Sequence, residues 1–288
     1  MSQVPSADPV EAARHAFAEE LRFTAHVRTP AVVAAFAAVP RERFVGPGPW
    51  RVLSTMNVSD YWTTEDADPR RVYHDVLIAI DETRRLNNGQ PLLWAFLYDQ
   101  IGLARDAHIV HVGTGYYSAI LAEIVGPVGA VTAIEVDPAL AEQARDNLQP
   151  WRQARVVAAN GFDFRPDRPA DAIIVNAGVT HLSLAWLDAL TEANGRLLVP
   201  LTTADRAGGF LLITRQGRAN RYTARWVCRT GIISCVGGRN PQAEARLIAA
   251  LARSDFQAVR SLRRAPDVPD HTCWLEGDGW WLSTEAAA

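Results

Sequence analysis

Between Ile109 and Leu201 the chain repeats one texture, in which short apolar runs alternate with helix-like stretches. The runs are Ile109–Val112, Val131–Val136, Arg155–Ala159, Ala172–Asn176 and Arg196–Leu201. Between them lie Tyr117–Val125, Pro138–Leu148 and Leu182–Glu192, each with the length and composition of a helix. This alternation predicts a parallel sheet, because parallel neighbours need a long crossover and a helix supplies it. The runs are too uniformly apolar for a sheet with one wet face, so cover is expected on both. From Gly208 the spacing tightens, and Gly209–Thr214, Tyr222–Cys228 and Gly231–Val236 read as neighbouring antiparallel strands. A helix over Pro241–Ala252 and a tryptophan-rich hairpin about Gly277-Asp278-Gly279 follow. The expected fold class is α/β: a doubly wound, mostly parallel sheet with antiparallel edge strands and a helical N-terminal extension.

That extension has its own punctuation. Asp8 can cap a helix, Pro9 suits its first position, and Glu11 completes a capping-box pattern. A second helix is expected from Thr29-Pro30 to just before Pro40, and a third from Pro91, closing at Gly102. Between Phe44 and Pro91 the signals are mixed, with Val72–Ile80 as a candidate strand. With 48% hydrophobic residues over 288 positions, the chain can build a core without disulfides or metal staples. The cysteines at 228, 235 and 273 are odd in number and form no C-x-x-C, so a reducing cytoplasm is expected and a structural zinc site is not. The longest apolar run, Ala31–Val39, is nine residues, where a membrane span needs about 20. The 29 basic residues oppose 32 acids, a net charge of -3, which gives no electrostatic basis for nucleic acid or anionic membrane as partner. All the basic residues are arginine, which excludes Schiff-base and P-loop lysine chemistry and points to a GC-rich bacterial genome.

The segment Ile109–Pro138 carries the chemistry. It reads as a strand, then Gly113-Thr114-Gly115, a helix, a second strand, and Glu135-Val136-Asp137-Pro138. Glycines at the carboxyl end of a strand let the backbone approach a ligand, and the following helix offers free N–H groups. Glu135 stands 22 residues after Gly113, close to the roughly 20-residue spacing of an acid that accepts hydrogen bonds from ribose hydroxyls. An adenosine-containing ligand is therefore expected, either S-adenosylmethionine (SAM) or a dinucleotide. The full G-x-G-x-x-G of dinucleotide sites is absent, because Ser118 takes the last position. Tyr73, His74 and Asp75 form a polar cluster that reads as a loop-to-strand junction. His111 reads as a core histidine, and Cys228 and Cys235 as small hydrophobes flanking a turn in strands.

Several segments together give a family resemblance. They are Val39-Pro40-Arg41-Glu42-Arg43-Phe44-Val45, Gly89-Gln90-Pro91, the glycine loop with Ile134-Glu135, Asp171-Ala172-Ile173-Ile174-Val175, and Gly195-Arg196-Leu197-Leu198-Val199-Pro200. In order and spacing, over roughly residues 30–215, the chain resembles protein-L-isoaspartate O-methyltransferases. The resemblance implies a Rossmann-like class I methyltransferase fold. It divides the chain into a helical N-terminal part with the substrate loop (1–100), a SAM-binding core (101–240), and a C-terminal helix with a tryptophan-rich tail (241–288).

By the resemblance, Gly113, Thr114 and Gly115 lie near the methionine part of SAM, and Glu135 holds the ribose; Tyr116, at the helix start, is a further cofactor-binding candidate that either shapes the pocket or packs. Asn160, Gly161 and Phe162 lie near the adenine, and Asn176 with Ala177 lines the floor. Asn88, Gly89 and Gln90 are the substrate-loop residues, with His74 as a further candidate. The chain departs from the family pattern at four places. His111 stands where the glycine motif usually has an acid. Either Tyr117 takes the third glycine's place, or the loop is two residues shorter. Asn160 replaces an aspartate, and Gly89 replaces the serine that would touch a substrate carboxylate. The reaction implied is methyl transfer from SAM to a carboxylate of a protein, peptide or small molecule, leaving S-adenosylhomocysteine. The alternatives are a binding module of the same fold that has lost its cofactor, and an NAD-dependent dehydrogenase.

Overall fold

The computed structural model describes residues 8–217, 221–253 and 256–287, which fall into two compact units. The first comprises residues up to Arg105, Gly115–Val128 and Asp146–Gln153, and the second comprises Asp106–Thr114, Gly129–Arg145 and everything from Ala154.

The first unit begins with α1 (Pro9–Thr24), where the Asp8 side chain accepts from Val10 N at 3.0 Å. Helix α2 (Pro30–Ala38) stops before Pro40, and a 3-10 turn covers Arg41–Phe44. Four short strands then form an antiparallel sheet in the order β2-β1-β3-β4: β1 (Arg51–Ser54), β2 (Asn57–Thr63), β3 (Leu77–Asp81) and β4 (Leu86–Asn87). This sheet was not legible in the sequence. Its members are short, and β2 is exposed along nearly its whole length, so it carries no alternation to read. The strand expected over Val72–Ile80 is instead a 3-10 turn at Pro69–Val72 followed by β3. Helix α3 (Pro91–Ile101) ends on Gly102, and α4 (Tyr116–Val125) is buried almost throughout.

The second unit is built on one ten-stranded sheet. Its parallel half contains β5 (His108–Val112), β6 (Ala130–Glu135), β7 (Ala154–Ala158), β8 (Ala172–Val175) and β9 (Ala193–Thr202), in the order β9-β8-β5-β6-β7. Helix α5 (Pro138–Asn147) links β6 to β7, and a short α6 (Leu184–Asp188) precedes β9. The antiparallel half extends from β9 through β10 (Gly208–Gln216) and β11 (Tyr222–Arg229). It continues beyond helix α7 (Pro241–Ala252) with β12 (Ser261–Arg264), then the hairpin β13 (Cys273–Gly277) and β14 (Trp280–Ser283). The α/β class holds, but antiparallel strands make up half of the sheet rather than an edge. Trp186, Trp274 and Trp280 join Ile173, Val175 and Leu211 in its core.

Two expected elements differ. The helix expected over Leu182–Glu192 stops at Asp188 because the chain there pairs with Ala170. Ala170 N donates to Ala189 O at 2.8 Å, and Thr191 N donates to Ala170 O at 2.9 Å. The strand expected at Gly231–Val236 is a loop, so Cys235 lies in no strand. Its backbone groups bond Gly178 instead of a strand ladder, with a single bridge at Ser234. Among the described residues, no helix is long and apolar enough to cross a membrane.

His111 is fully buried in the middle of β5. Burial pushes its pKa down to about 4, and the influence of the Asn176 side chain opposes the shift only partly. The folded state therefore holds His111 neutral, whereas the unfolded chain binds a proton below its ordinary value near 6.5. Stability is unaffected above that value and falls as pH drops from about 6.5 to about 4, at roughly 1.4 kcal/mol per pH unit. Denaturant melts at pH 7 and pH 5 should show this loss in the native chain and a smaller loss in His111→Asn.

Candidate active site

Four neighbouring strands, β8, β5, β6 and β7, end side by side. Their register pairs Val112 with both Ile134 and Val175, and Glu135 with Ala158. The residues just past those ends are Gly113-Thr114, Glu135, Asn160-Gly161-Phe162 and Asn176, so the structure brings together the second unit's share of the expected cofactor residues. Gly113 N donates to Ile134 O at 2.9 Å, and Ala159 N donates to Glu135 O at 2.9 Å. Gly113 has φ +125, and a Cβ there would stand 2.9 Å from Asn176 Cβ. Both the conformation and the close approach require glycine.

The polar groups here are mostly acceptors. Glu135, half-buried, takes Asp137 N on Oε1 at 3.0 Å. Thr114 Oγ1 and Asn176 Oδ1 are buried and have no hydrogen-bond partner among the described residues. Buried polar atoms are rarely left so, and each costs about 1–3 kcal/mol. They suit a ligand that donates hydrogen bonds, such as an ammonium or a sugar hydroxyl. The amide oxygen only accepts, and the threonine hydroxyl can accept or donate. Asn160 is held by its own turn: Oδ1 accepts from Phe162 N at 3.0 Å, and Nδ2 donates to Asp163 at 3.1 Å. The Phe162 ring lies 5.0 Å from His181 and 5.3 Å from Trp186, whose indole N–H donates to Gly161 O.

Gly115, Tyr116 and the substrate-loop residues belong to the first unit, and the glycine loop crosses from one unit to the other after Thr114. Helix α4 begins at Tyr116 with Gly115 as its N-cap, so only three residues separate β5 from α4 and Tyr117 sits in the first helical turn. Its ring packs 5.4 Å from Trp94 and 5.1 Å from Tyr116, and burial raises the Tyr116 and Tyr117 phenols, keeping them neutral. Gly89 has φ +49, and a Cβ there would stand 2.7 Å from Tyr117 Cε2 and 3.0 Å from Trp94 Nε1. The departures at positions 89 and 117 are thus one spatial event, with the tyrosine ring in the space a side chain at 89 would need.

Sequence reasoning gave no role to two residues that hold this loop. Arg41 is fully buried. Its guanidinium donates to Val72 O and His74 O at 2.9 Å, Val76 O at 2.8 Å, Gly89 O at 3.3 Å and Asn88 Oδ1 at 3.2 Å. Asp75 accepts from Gln90 Nε2 and from Leu92 N, both at 2.8 Å, fixing the start of α3. The available signal was Arg41 within the quoted Val39–Val45 segment. His74 contributes its carbonyl to Arg41.

Two predictions follow from this geometry. Arg41→Lys offers three donors to five acceptors in the wrong geometry, which should cost about 2–6 kcal/mol in a denaturant melt. Gly89→Ser should destabilise the chain, and much less so in a Tyr117→Ala background. A double-mutant cycle should give a coupling of about 0.5–3 kcal/mol, where independent sites would give none.

Comparison with known proteins agrees with this arrangement. The family model described as Protein-L-isoaspartate(D-aspartate) O-methyltransferase (PCMT) matches residues 12–227. A protein-L-isoaspartate O-methyltransferase of Gloeobacter violaceus is 31% identical over 195 residues, covering 66% of this chain and 82% of that protein. The second such enzyme of Pelobacter propionicus is 29% identical over 216 residues, covering 73% and 84%. A solved protein-L-isoaspartate O-methyltransferase superposes with a TM-score of 0.64 at 20% identity, over 83% of this chain and 69% of that one. A structure described as a Plasmodium falciparum β-aspartate methyltransferase in complex with S-adenosyl-L-homocysteine gives 0.59 at 16% identity, over 77% and 97%. A match over three quarters of the sequence, on a sheet with its loops in this order, decides the question, and the chain belongs to the protein-L-isoaspartate O-methyltransferase family.

Proposed function

We propose that this chain is a SAM-dependent carboxyl O-methyltransferase whose acceptor is an isoaspartyl carboxylate of a protein or peptide. Beyond family membership, the observation that carries this reading is the pair of buried oxygens beside Gly113, Thr114 Oγ1 and Asn176 Oδ1, that have no partner among the described residues. SAM carries an ammonium and two ribose hydroxyls, all donors, which suits a site made of these two oxygens and the Glu135 carboxylate. The binding-module and dehydrogenase readings are not favoured. The first has no family support, and the second lacks the full G-x-G-x-x-G, with Ser118 in its last position.

When bound, SAM supplies an electrophilic methyl group on a sulfonium sulfur. Gly113, Thr114, Gly115 and Tyr116 take its amino-acid part, Glu135 its ribose, Asn160, Gly161 and Phe162 its adenine, and Asn176 the floor. Asn88, Gly89 and Gln90 face the acceptor. A carboxylate is ionised at neutral pH, so no residue has to remove a proton from it. The work left to the chain is alignment and exclusion of water. Arg41 and Asp75 serve alignment by holding the 88–90 loop through Asn88, Gly89 and Gln90. With no side chain at 89, recognition falls to backbone groups and to Gln90.

The direct test offers methyl-labelled SAM and two peptides that differ only in an isoaspartyl or a normal aspartyl residue. Base-labile label should appear on the isoaspartyl peptide alone. Label on neither, with S-adenosylhomocysteine still bound, would move the acceptor to another carboxylate. Glu135→Ala should weaken S-adenosylhomocysteine binding by about 1.5–3 kcal/mol, roughly 10- to 150-fold. An unchanged affinity would remove Glu135 from the site.

A further inference from the structure

The family match ends at residue 227, within β11, and the chain then runs through a loop into α7 and three more strands. The loop, residues 230–240, is tied to the segment that follows β8. Gly178 N donates to Ile233 O at 2.7 Å, and Cys235 N donates to Gly178 O at 2.9 Å. Thr180 N donates to Gly238 O at 2.9 Å, and Asn240 N donates to Thr180 Oγ1 at 2.9 Å. Four bonds to two residues, Gly178 and Thr180, fix the loop two to four positions beyond Asn176.

Its tip rests on the residues expected at the adenine. Gly237 has φ +81, and a Cβ there would stand 2.7 Å from Asn160 Nδ2. The Cys235–Gly238 turn accounts for that conformation by itself. Gly238 is different, because its φ is not positive and no turn requires it to be glycine. A Cβ on Gly238 would stand 2.5 Å from Val179 Cγ1 and 3.2 Å from Phe162 Cδ2. Its missing side chain serves close approach. The Phe162 ring thus packs on Trp186 and His181, and Gly238 leaves open the space beside it that a Cβ would crowd.

We propose that the loop 230–240, supplied by the chain beyond the family match, is the adenine-side wall of the cofactor site, with Gly237 and Gly238 as positioning residues for Asn160 and Phe162. The inference rests on the SAM reading above. The geometry assigns the segment a ligand-dependent role: occupation of the adenine side presses on Asn160 and Phe162, and through them on the loop.

The test uses the full chain, with S-adenosylhomocysteine and adenosine as probes in calorimetric titration and hydrogen exchange. Saturation with S-adenosylhomocysteine should slow exchange across 231–240. Gly237→Ala and Gly238→Ala should weaken both probes by a similar factor, at least tenfold. Gly46→Ala, which adds a Cβ at φ +68 with nothing within 4 Å, controls for backbone strain and should leave both affinities unchanged. Native affinity in both loop variants, or a loop whose exchange ignores the ligand, would reduce the loop to structural cover and overturn the proposal. A loop variant that unfolds leaves the exchange result on the native chain to decide. Absence of S-adenosylhomocysteine binding by the native chain would instead remove the SAM reading, and this inference with it.

Discussion

Everything the site can do depends on the common ending of four parallel strands. The register that pairs Val112 with Ile134 and Val175 sets Gly113, Glu135 and Asn176 side by side. No single one of these residues makes a site. The proposed cofactor site needs Thr114, Glu135 and Asn176 from the ends of three strands, and the parallel ladder delivers them at one edge. The crowding that results explains the glycine: Gly113 turns where a side chain would strike Asn176. It also leaves two oxygens buried without partners among the described residues, a cost the fold bears locally at the strand ends.

The residues that depart from the family pattern fit this chain's own packing. His111 sits where an acid is usual, and complete burial keeps it neutral. An unpaired carboxylate would be costly in that position. Gly89 and Tyr117 share one volume, so a hydroxyl at 89 and a ring at 117 exclude each other. The 88–90 loop is consequently held by aromatic packing and by Arg41, a buried cation satisfied by four carbonyls and one amide oxygen.

Much of the second unit was legible because β5, β6, β8 and α7 are governed by local rules: continuous apolar runs, a proline at a helix start, glycines at a strand end. The rest was not, for identifiable reasons. The small sheet of the first unit has short strands and an exposed member, so it lacks a period. The segment 182–192 has helical composition, but its end is recruited by Ala170 from a distance. The loop at 231–236 has strand composition, but its hydrogen bonds go to Gly178. The Glu135 spacing was readable as chemistry. The roles of Arg41 and Asp75 were not, because each acts on backbone and side-chain groups far along the chain, and sequence spacing does not encode such contacts.

The claim on which the account turns is that the acceptors at the strand ends bind the adenosyl cofactor. Calorimetric titration of the native chain with S-adenosylhomocysteine, with NAD run in parallel, tests it most directly. The account predicts saturable binding of the first at one site per chain and none of the second. Binding of NAD alone, or of neither ligand, would contradict it.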